Sequence, residues 1–127
     1  MVTTSGALDG MTVIEIASYV SGPYATMLLG DLGATVIKIE PPDGGDPFRG
    51  WGKVDYSATF GSLNRNKKSV VLDLKDTKGR EDLRRLVQRA DVLVENLRPG
   101  AMDRMGLGYE QLSQLNERLV YCSISGF

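Results

Sequence analysis

The chain has 127 residues, 42% of them hydrophobic, enough for one globular domain with a small core. Fifteen basic and sixteen acidic side chains leave a net charge of −1, which excludes the broad basic field of a nucleic-acid binder or of a protein held on an anionic membrane. Histidine is absent, which excludes Ser-His-Asp and Cys-His catalysis, histidine proton shuttling and most zinc sites within these residues.

The opening MVTTSGALDG lacks the basic start and apolar middle of a signal peptide, and no run approaches the roughly 20 apolar residues of a membrane helix. Residues 11–40 read as a complete strand, turn, helix and strand. The β-branched runs 11–17 and 35–40 have the length and composition of parallel strands. Between them Gly22 permits a tight turn, Pro23 suits a first helical position, and Gly33 ends the helix. Tyr24, Met27, Leu28 and Leu32 fall at helical spacing and are expected against the sheet. The N–H groups of residues 21–24 and the helix dipole make this turn a seat for a phosphate or carboxylate, although many α/β proteins carry the same unit without a ligand.

Residues 41–59 form a glycine- and proline-rich connection without apolar periodicity. Phe48, Arg49 and Trp51 cap a ligand, pack on another chain or form a satellite cluster that holds the loop down. The segment is expected to be the most mobile part of the chain. Residues 57–63 allow one helical turn, and Arg65, Lys67 and Lys68 then precede a strand over 69–73, either as a phosphate-binding patch or as a solvated charge run. Asp76 or Thr77 caps a helix whose Leu83, Leu86, Val87 and Ala90 form a buried stripe. A fourth strand over 91–95, short helices over 101–105 and 109–115, and a fifth strand over 119–125 complete the pattern. The lone Cys122, in that last strand, excludes an internal disulfide and fits a reducing compartment, so a cytoplasmic location is expected.

This order predicts an α/β fold: an open, Rossmann-like, mostly parallel sheet with helices on both faces and ligands bound outside the carboxyl ends of the strands. Glu40, eighteen positions after Gly22, stands where a dinucleotide fold keeps its ribose-binding acid. The turn SGPYAT nevertheless lacks the G-x-G-x-x-G fingerprint, so neither a nicotinamide nor a flavin site is expected. Asp31, Asp43, Asp46, Asp55 and Asp73 read as caps, turn formers or solvated residues and not as nucleophiles.

Three ordered stretches, SGPYATMLLGDLGATVIKIEPPDGGDPFRGW, NRNKKSVVLDLK and ADVLVENLRPGAMDRMGLGYEQLSQLNERLVYCSISGF, resemble the amino-terminal third of the family III CoA-transferases, the CaiB/BaiF family. That family includes formyl-CoA, carnitine and bile-acid CoA-transferases and 2-methylacyl-CoA racemase, and the KIEPPDGGDPFRGW loop looks more like the transferases. The resemblance implies coenzyme A, bound as acyl-CoA, with no metal, NAD or flavin. It implies contacts from Val20, Ser21, Leu72, Asp73, Leu74, Lys75, Asn96, Leu97, Arg98 and Arg104, the cations among them facing phosphates. Some relatives carry arginine where this chain has Pro41, and Arg49 or Lys67 is expected to substitute.

The family's nucleophilic aspartate matches no residue up to Phe127, so residues 1–127 correspond to the amino-terminal CoA-binding part of the large domain. The implied chemistry is attack of that aspartate on an acyl-CoA, an aspartyl-CoA thioester and transfer to a small carboxylic acid, in an interlocked homodimer without nucleic acid or membrane. The ending at SISGF reads as a cut in a longer protein, and this chain alone is expected to be inactive. A 2-methylacyl-CoA racemase relative and a non-catalytic CoA- or nucleotide-binding module are the alternatives.

Overall fold

The computed structural model describes residues 5–52 and 57–126. Five strands, β1 (Thr12–Ile16), β2 (Thr35–Glu40), β3 (Lys67–Val71), β4 (Val92–Glu95) and β5 (Val120–Ser123), form one sheet in the order β3-β2-β1-β4-β5. Every pairing is parallel. The chain steps outward from β1 to β3 and then returns to the other side of β1, so the connections diverge between β1 and β4. Helices pack on both faces of the sheet, as the α/β pattern predicts.

Alternation along each strand divides the core in two. On one face Ile14, Ile16, Ile39 and Leu93 pack with Leu83 and Val87 of α3 (Thr77–Val87), with Met102 of α4 (Ala101–Arg104) and Leu107, and with Leu112 of α5 (Tyr109–Leu115). The expected stripe holds: Leu83, Val87 and Ala90 are buried, Leu86 is half-buried, and Asp76 caps the helix by accepting the Lys78 N–H.

The opposite face carries α1 (Ser21–Asp31) and is apolar only near the strand starts, where Val13, Ala34, Val36 and Val94 meet Leu29. Here the expected stripe is corrected. Met27 is buried, but Tyr24, Leu28 and Leu32 are 49%, 43% and 50% exposed. The helix instead buries Gly22, Pro23, Thr26 and Met27. It is turned this way because the sheet beneath presents charge, and Thr26 Oγ1 donates a 2.6 Å hydrogen bond to Glu15.

Two boundaries also move. Helix α1 begins at Ser21, ahead of Pro23, and β3 begins at Lys67, so Lys67 and Lys68 are strand residues. The long connection is partly anchored: a 3-10 turn over Pro47–Gly50 buries Phe48, and Ser57 caps α2 (Ala58–Leu63). Residues 53–56 of the connection expected to be mobile, Asp55 among them, and Phe127 lie outside the described residues. Among the described residues no helix is long and apolar enough to cross a membrane.

Candidate functional site at the strand ends

Two of the cavities at the carboxyl ends of the strands gather most of the expected contact residues. The first, about 260 Å3, is walled by Ile16, Ala17, Ile39 and Met105 and reached by Leu72, Asp73, Leu74 and Lys75 after β3. The second, about 310 Å3, lies over the divergence between β1 and β4 and is lined by Ser21, Asn96 and Arg98. Leu97 is a wall of both.

The β3 turn is shaped by short-range hydrogen bonds. Asp73 Oδ1 accepts the Lys75 N–H at 2.9 Å, the turn-forming role expected of it. Arg80 of α3 donates to the carbonyl oxygens of Leu74 and Lys75 at 3.3 and 2.9 Å. Gly79 lets α3 approach this closely, since a Cβ there would stand 2.0 Å from the Asp73 carbonyl oxygen.

The turn entering α1 is held from β4. The Asn96 side chain accepts the Ser18 N–H at 2.9 Å and donates to the Ser18 carbonyl at 2.8 Å, and its amide also reaches Ser21 Oγ at 3.2 Å. Gly22 makes room for this packing, because a Cβ would meet that of Ala17 at 2.3 Å. Tyr19, ahead of the helix, has φ = 64°, a left-handed conformation uncommon for a residue with a Cβ. Among the described residues no side chain caps the amino end of α1, where Val20 is the N-cap.

The structure thus brings Leu72, Asp73, Leu74 and Lys75 to one cavity and Ser21, Asn96 and Arg98 to the other, with Leu97 between them. Val20 is exposed and lines neither. Arg104, also exposed, ends α4, and its guanidinium lies close over the left-handed Gly100 turn.

Beside the first cavity lies an ionic cluster that sequence reasoning missed. Lys38 Nζ meets Glu15 at 2.6 Å and Asp46 at 2.9 Å and donates to the Ala17 carbonyl at 2.8 Å. Lys67 Nζ meets the other oxygen of Glu15 at 2.8 Å and donates to the Pro23 carbonyl and to Asn64. Two buried cations therefore balance two buried carboxylates, the condition under which such burial is tolerable. Burial pulls the Lys67 ammonium below the ordinary lysine value, against the raising field of Glu15. A sequence signal existed: VIEI and VIKI carry opposite charges at matching strand positions, and Glu15 pairs with Lys38 in register.

Glu40 is also consumed. It accepts two bonds from Arg49, one from the Asp46 N–H and one from the Ser69 hydroxyl. Burial alone would raise its pKa, but Arg49, Ser69 and the Asp46 N–H together bring it down to about 2. The acid that occupies the ribose position of a dinucleotide fold is here an anchor for the loop.

The cations of residues 65–68, read as a phosphate-binding patch or a solvated charge run, are divided by the fold, with Lys68 exposed. Residues just before a parallel strand lie at the sheet edge opposite the ligand side. Arg65 pairs there with Asp31, Lys67 is buried in the cluster, and Arg49 is bound to Glu40 with its guanidinium 4.1 Å from the centre of the Phe60 ring. Lys67 is thus turned into the cluster, whereas Arg49, 41% exposed, lines a cavity together with Pro41. Asp46, expected to cap or to be solvated, does cap the 3-10 turn but is 1% exposed. Among the described residues no group of three or more His, Cys, Asp or Glu side chains forms a metal site.

Comparison with known proteins converges on one family. Residues 8–127 match the model of CoA-transferase family III. The chain is 49% identical over 124 residues to acetyl-CoA:oxalate CoA-transferase of Acetobacter aceti, covering 96% of this chain and 32% of that protein. It is 45% identical over 123 residues to human succinyl-CoA:glutarate CoA-transferase, covering 94% and 28%. The crystal structure of a CAIB/BAIF family protein from Brucella suis superposes with a TM-score of 0.91 at 45% identity, over 97% of this chain and 34% of that one. The chain therefore spans about a third of the length of these relatives. With its parallel sheet, its strand-end cavities and a family match over nearly its whole length, the chain belongs to CoA-transferase family III.

Proposed function

We propose that residues 1–127 are the amino-terminal, Rossmann-like CoA-binding part of an enzyme that moves CoA between an acyl-CoA and a small carboxylic acid. The observation that carries this reading is the strand-end cavity, with polar backbone from Leu72 to Lys75 on one wall and apolar side chains on the others, beside the uncapped start of α1. Backbone groups at Val20, Ser21 and Leu72 to Lys75 pair with the adenine and pantetheine amides. The Asn96–Leu97–Arg98 turn borders the cofactor, and Lys75, Arg98 and Arg104 neutralise its phosphates.

The chemistry belongs to an aspartate beyond Phe127. Its carboxylate attacks the acyl-CoA carbonyl and expels CoA thiolate, leaving a mixed anhydride. The thiolate then attacks the aspartyl carbonyl, releasing the donor acid and forming an aspartyl-CoA thioester. The acceptor carboxylate opens that thioester to a second anhydride, from which thiolate forms the new acyl-CoA and frees the aspartate. We place the protein in the cytoplasm as a homodimer, and the oxalate and glutarate transferases among its relatives make a dicarboxylate the first acceptor to assay.

The 127-residue chain is expected to bind CoA in about the micromolar to millimolar range, because it keeps one wall of a larger site while the ordering cost is undiminished. Calorimetry against CoA and dephospho-CoA tests the phosphate assignment. Arg104→Ala should weaken CoA more than dephospho-CoA, and less so at high salt. Equal losses for both ligands would remove Arg104 from the 3′-phosphate, and transferase turnover by the purified chain would overturn the placement of the nucleophile beyond Phe127.

A further inference from the structure

We propose that Asp46, in the long connection after β2, is a positioning residue: its carboxylate fixes the left-handed step at Tyr19 and thereby sets how the start of α1 is presented to CoA. The proposal rests on the reading of the strand ends as a CoA site.

A helix cap needs one acceptor at the surface, and Asp46 does more. Oδ1 accepts the Phe48 N–H of its own turn at 2.9 Å and also the N–H of Tyr19, twenty-seven residues earlier, at 3.2 Å. Oδ2 has no hydrogen-bond partner among the described residues and faces the Lys38 ammonium at 2.9 Å, a contact of charge without hydrogen-bond alignment. The Asp46 N–H is held in turn by Glu40 at 2.9 Å. The carboxylate is therefore fixed from three sides in a connection whose neighbours Pro42, Asp43, Gly44 and Pro47 are exposed.

Three of the four residues leading from β1 into α1 have their own anchor. Lys38 holds the Ala17 carbonyl, and Asn96 holds both backbone groups of Ser18 and the hydroxyl of Ser21. Tyr19 is held by Asp46. Of these residues Tyr19 alone adopts a conformation that its own side chain disfavours, with φ = 64°. At this step the backbone leaves the line of β1, so it determines where the first N–H groups of α1 point. The connection after β2 thus acts on the CoA turn through one hydrogen bond.

Two substitutions separate positioning from mere stability. Asp46→Ala removes both the charge and the acceptor, whereas Asp46→Asn removes the charge and keeps an oxygen of the same shape where Oδ1 stands. Both leave Lys38 and Lys67 facing Glu15 alone, so both lower the denaturation midpoint. CoA affinity, measured by calorimetry on variants shown to be folded, should fall about tenfold or more for Asp46→Ala and stay within about threefold for Asp46→Asn. Amide exchange at Tyr19 should quicken in the alanine variant only. Adding Tyr19→Gly to Asp46→Ala should recover part of the lost affinity, since glycine takes positive φ without an external acceptor. If Asp46→Ala does not fold, Asp46→Ser, whose shorter side chain caps Phe48 without reaching Tyr19, takes its place.

Equal losses in both variants, in step with stability, would overturn the proposal and leave Asp46 as a structural ion. Unchanged CoA affinity in both would overturn it as well. A wild-type protein that takes up no CoA would remove the ligand and the proposal together, an outcome distinct from the others because it appears before any substitution is made.

Discussion

The two faces of the sheet are closed by different chemistry. Against α3 and α5 the core is hydrocarbon: Leu83, Val87, Leu93, Leu107 and Leu112 are all fully buried. Against α1, toward the ligand side, space of the same kind is filled by Glu15, Lys38, Asp46 and Thr26. A hydrocarbon core loses stability roughly with the volume removed, and no member is left with an unbalanced charge when another is taken away. A charged core loses it through imbalance, so the cost of one removal depends on which partners remain. The face packed against α1 is the one whose parts cannot be altered singly, while the first cavity is walled by Ile16, Ile39 and Met105 of the hydrocarbon side.

The largest expected effect follows from this. Glu15→Ala strands two buried ammonium groups opposite Asp46 and should cost about 3–5 kcal/mol by urea denaturation. Glu15→Leu combined with Lys38→Met removes one charge of each sign and leaves Asp46 with Lys67, so it should cost clearly less than Glu15→Ala. A double variant worse than the single would show that hydrogen-bond geometry and not charge balance governs this face.

On the hydrocarbon face Leu83→Ala should cost about 2–4 kcal/mol, a transfer and cavity penalty that does not change with pH. The Glu40 anchor behaves in the opposite way. Its folded pKa of about 2 lies below the ordinary value of 4.5, so its contribution is complete above pH 4.5 and is lost as pH falls toward 2. Because Arg49 is 41% exposed and its field is screened, we expect the loss to be on the order of 2 kcal/mol, smaller than the shift alone would give. Acid titration of Glu40→Gln should lack this component, and an identical acid profile would exclude the anchor.

The same contrast explains what could be read from the sequence. The stripe of α3 was legible because its buried positions are apolar and the helix lies on an apolar sheet face. The stripe of α1 was misread because spacing alone cannot tell that the surface beneath Thr26 is a carboxylate, which turns Tyr24, Leu28 and Leu32 outward. The succession of strands and helices along the chain and the turns after β1, β3 and β4 followed from local pattern, since each depends on residues close in sequence; the placing of β1 between β2 and β4 rests on pairings far apart in sequence. Lys67 was misplaced because its role depends on Glu15, brought alongside only when β3 and β1 flank β2. The resemblance to family III rested on several ordered motifs, and the comparisons agree with it over residues 8–127.

Trp51 is the chain's single tryptophan, 61% exposed, with its ring centre 6.2 Å from that of Tyr19 and 5.5 Å from that of Phe48. Its emission therefore originates at the junction between the loop and the turn before α1, with no second fluorophore of its kind to dilute it. Acrylamide quenching and emission wavelength then report, without any label, whether that junction is closed. The protein carries its own optical probe at the place where its most separate segments meet.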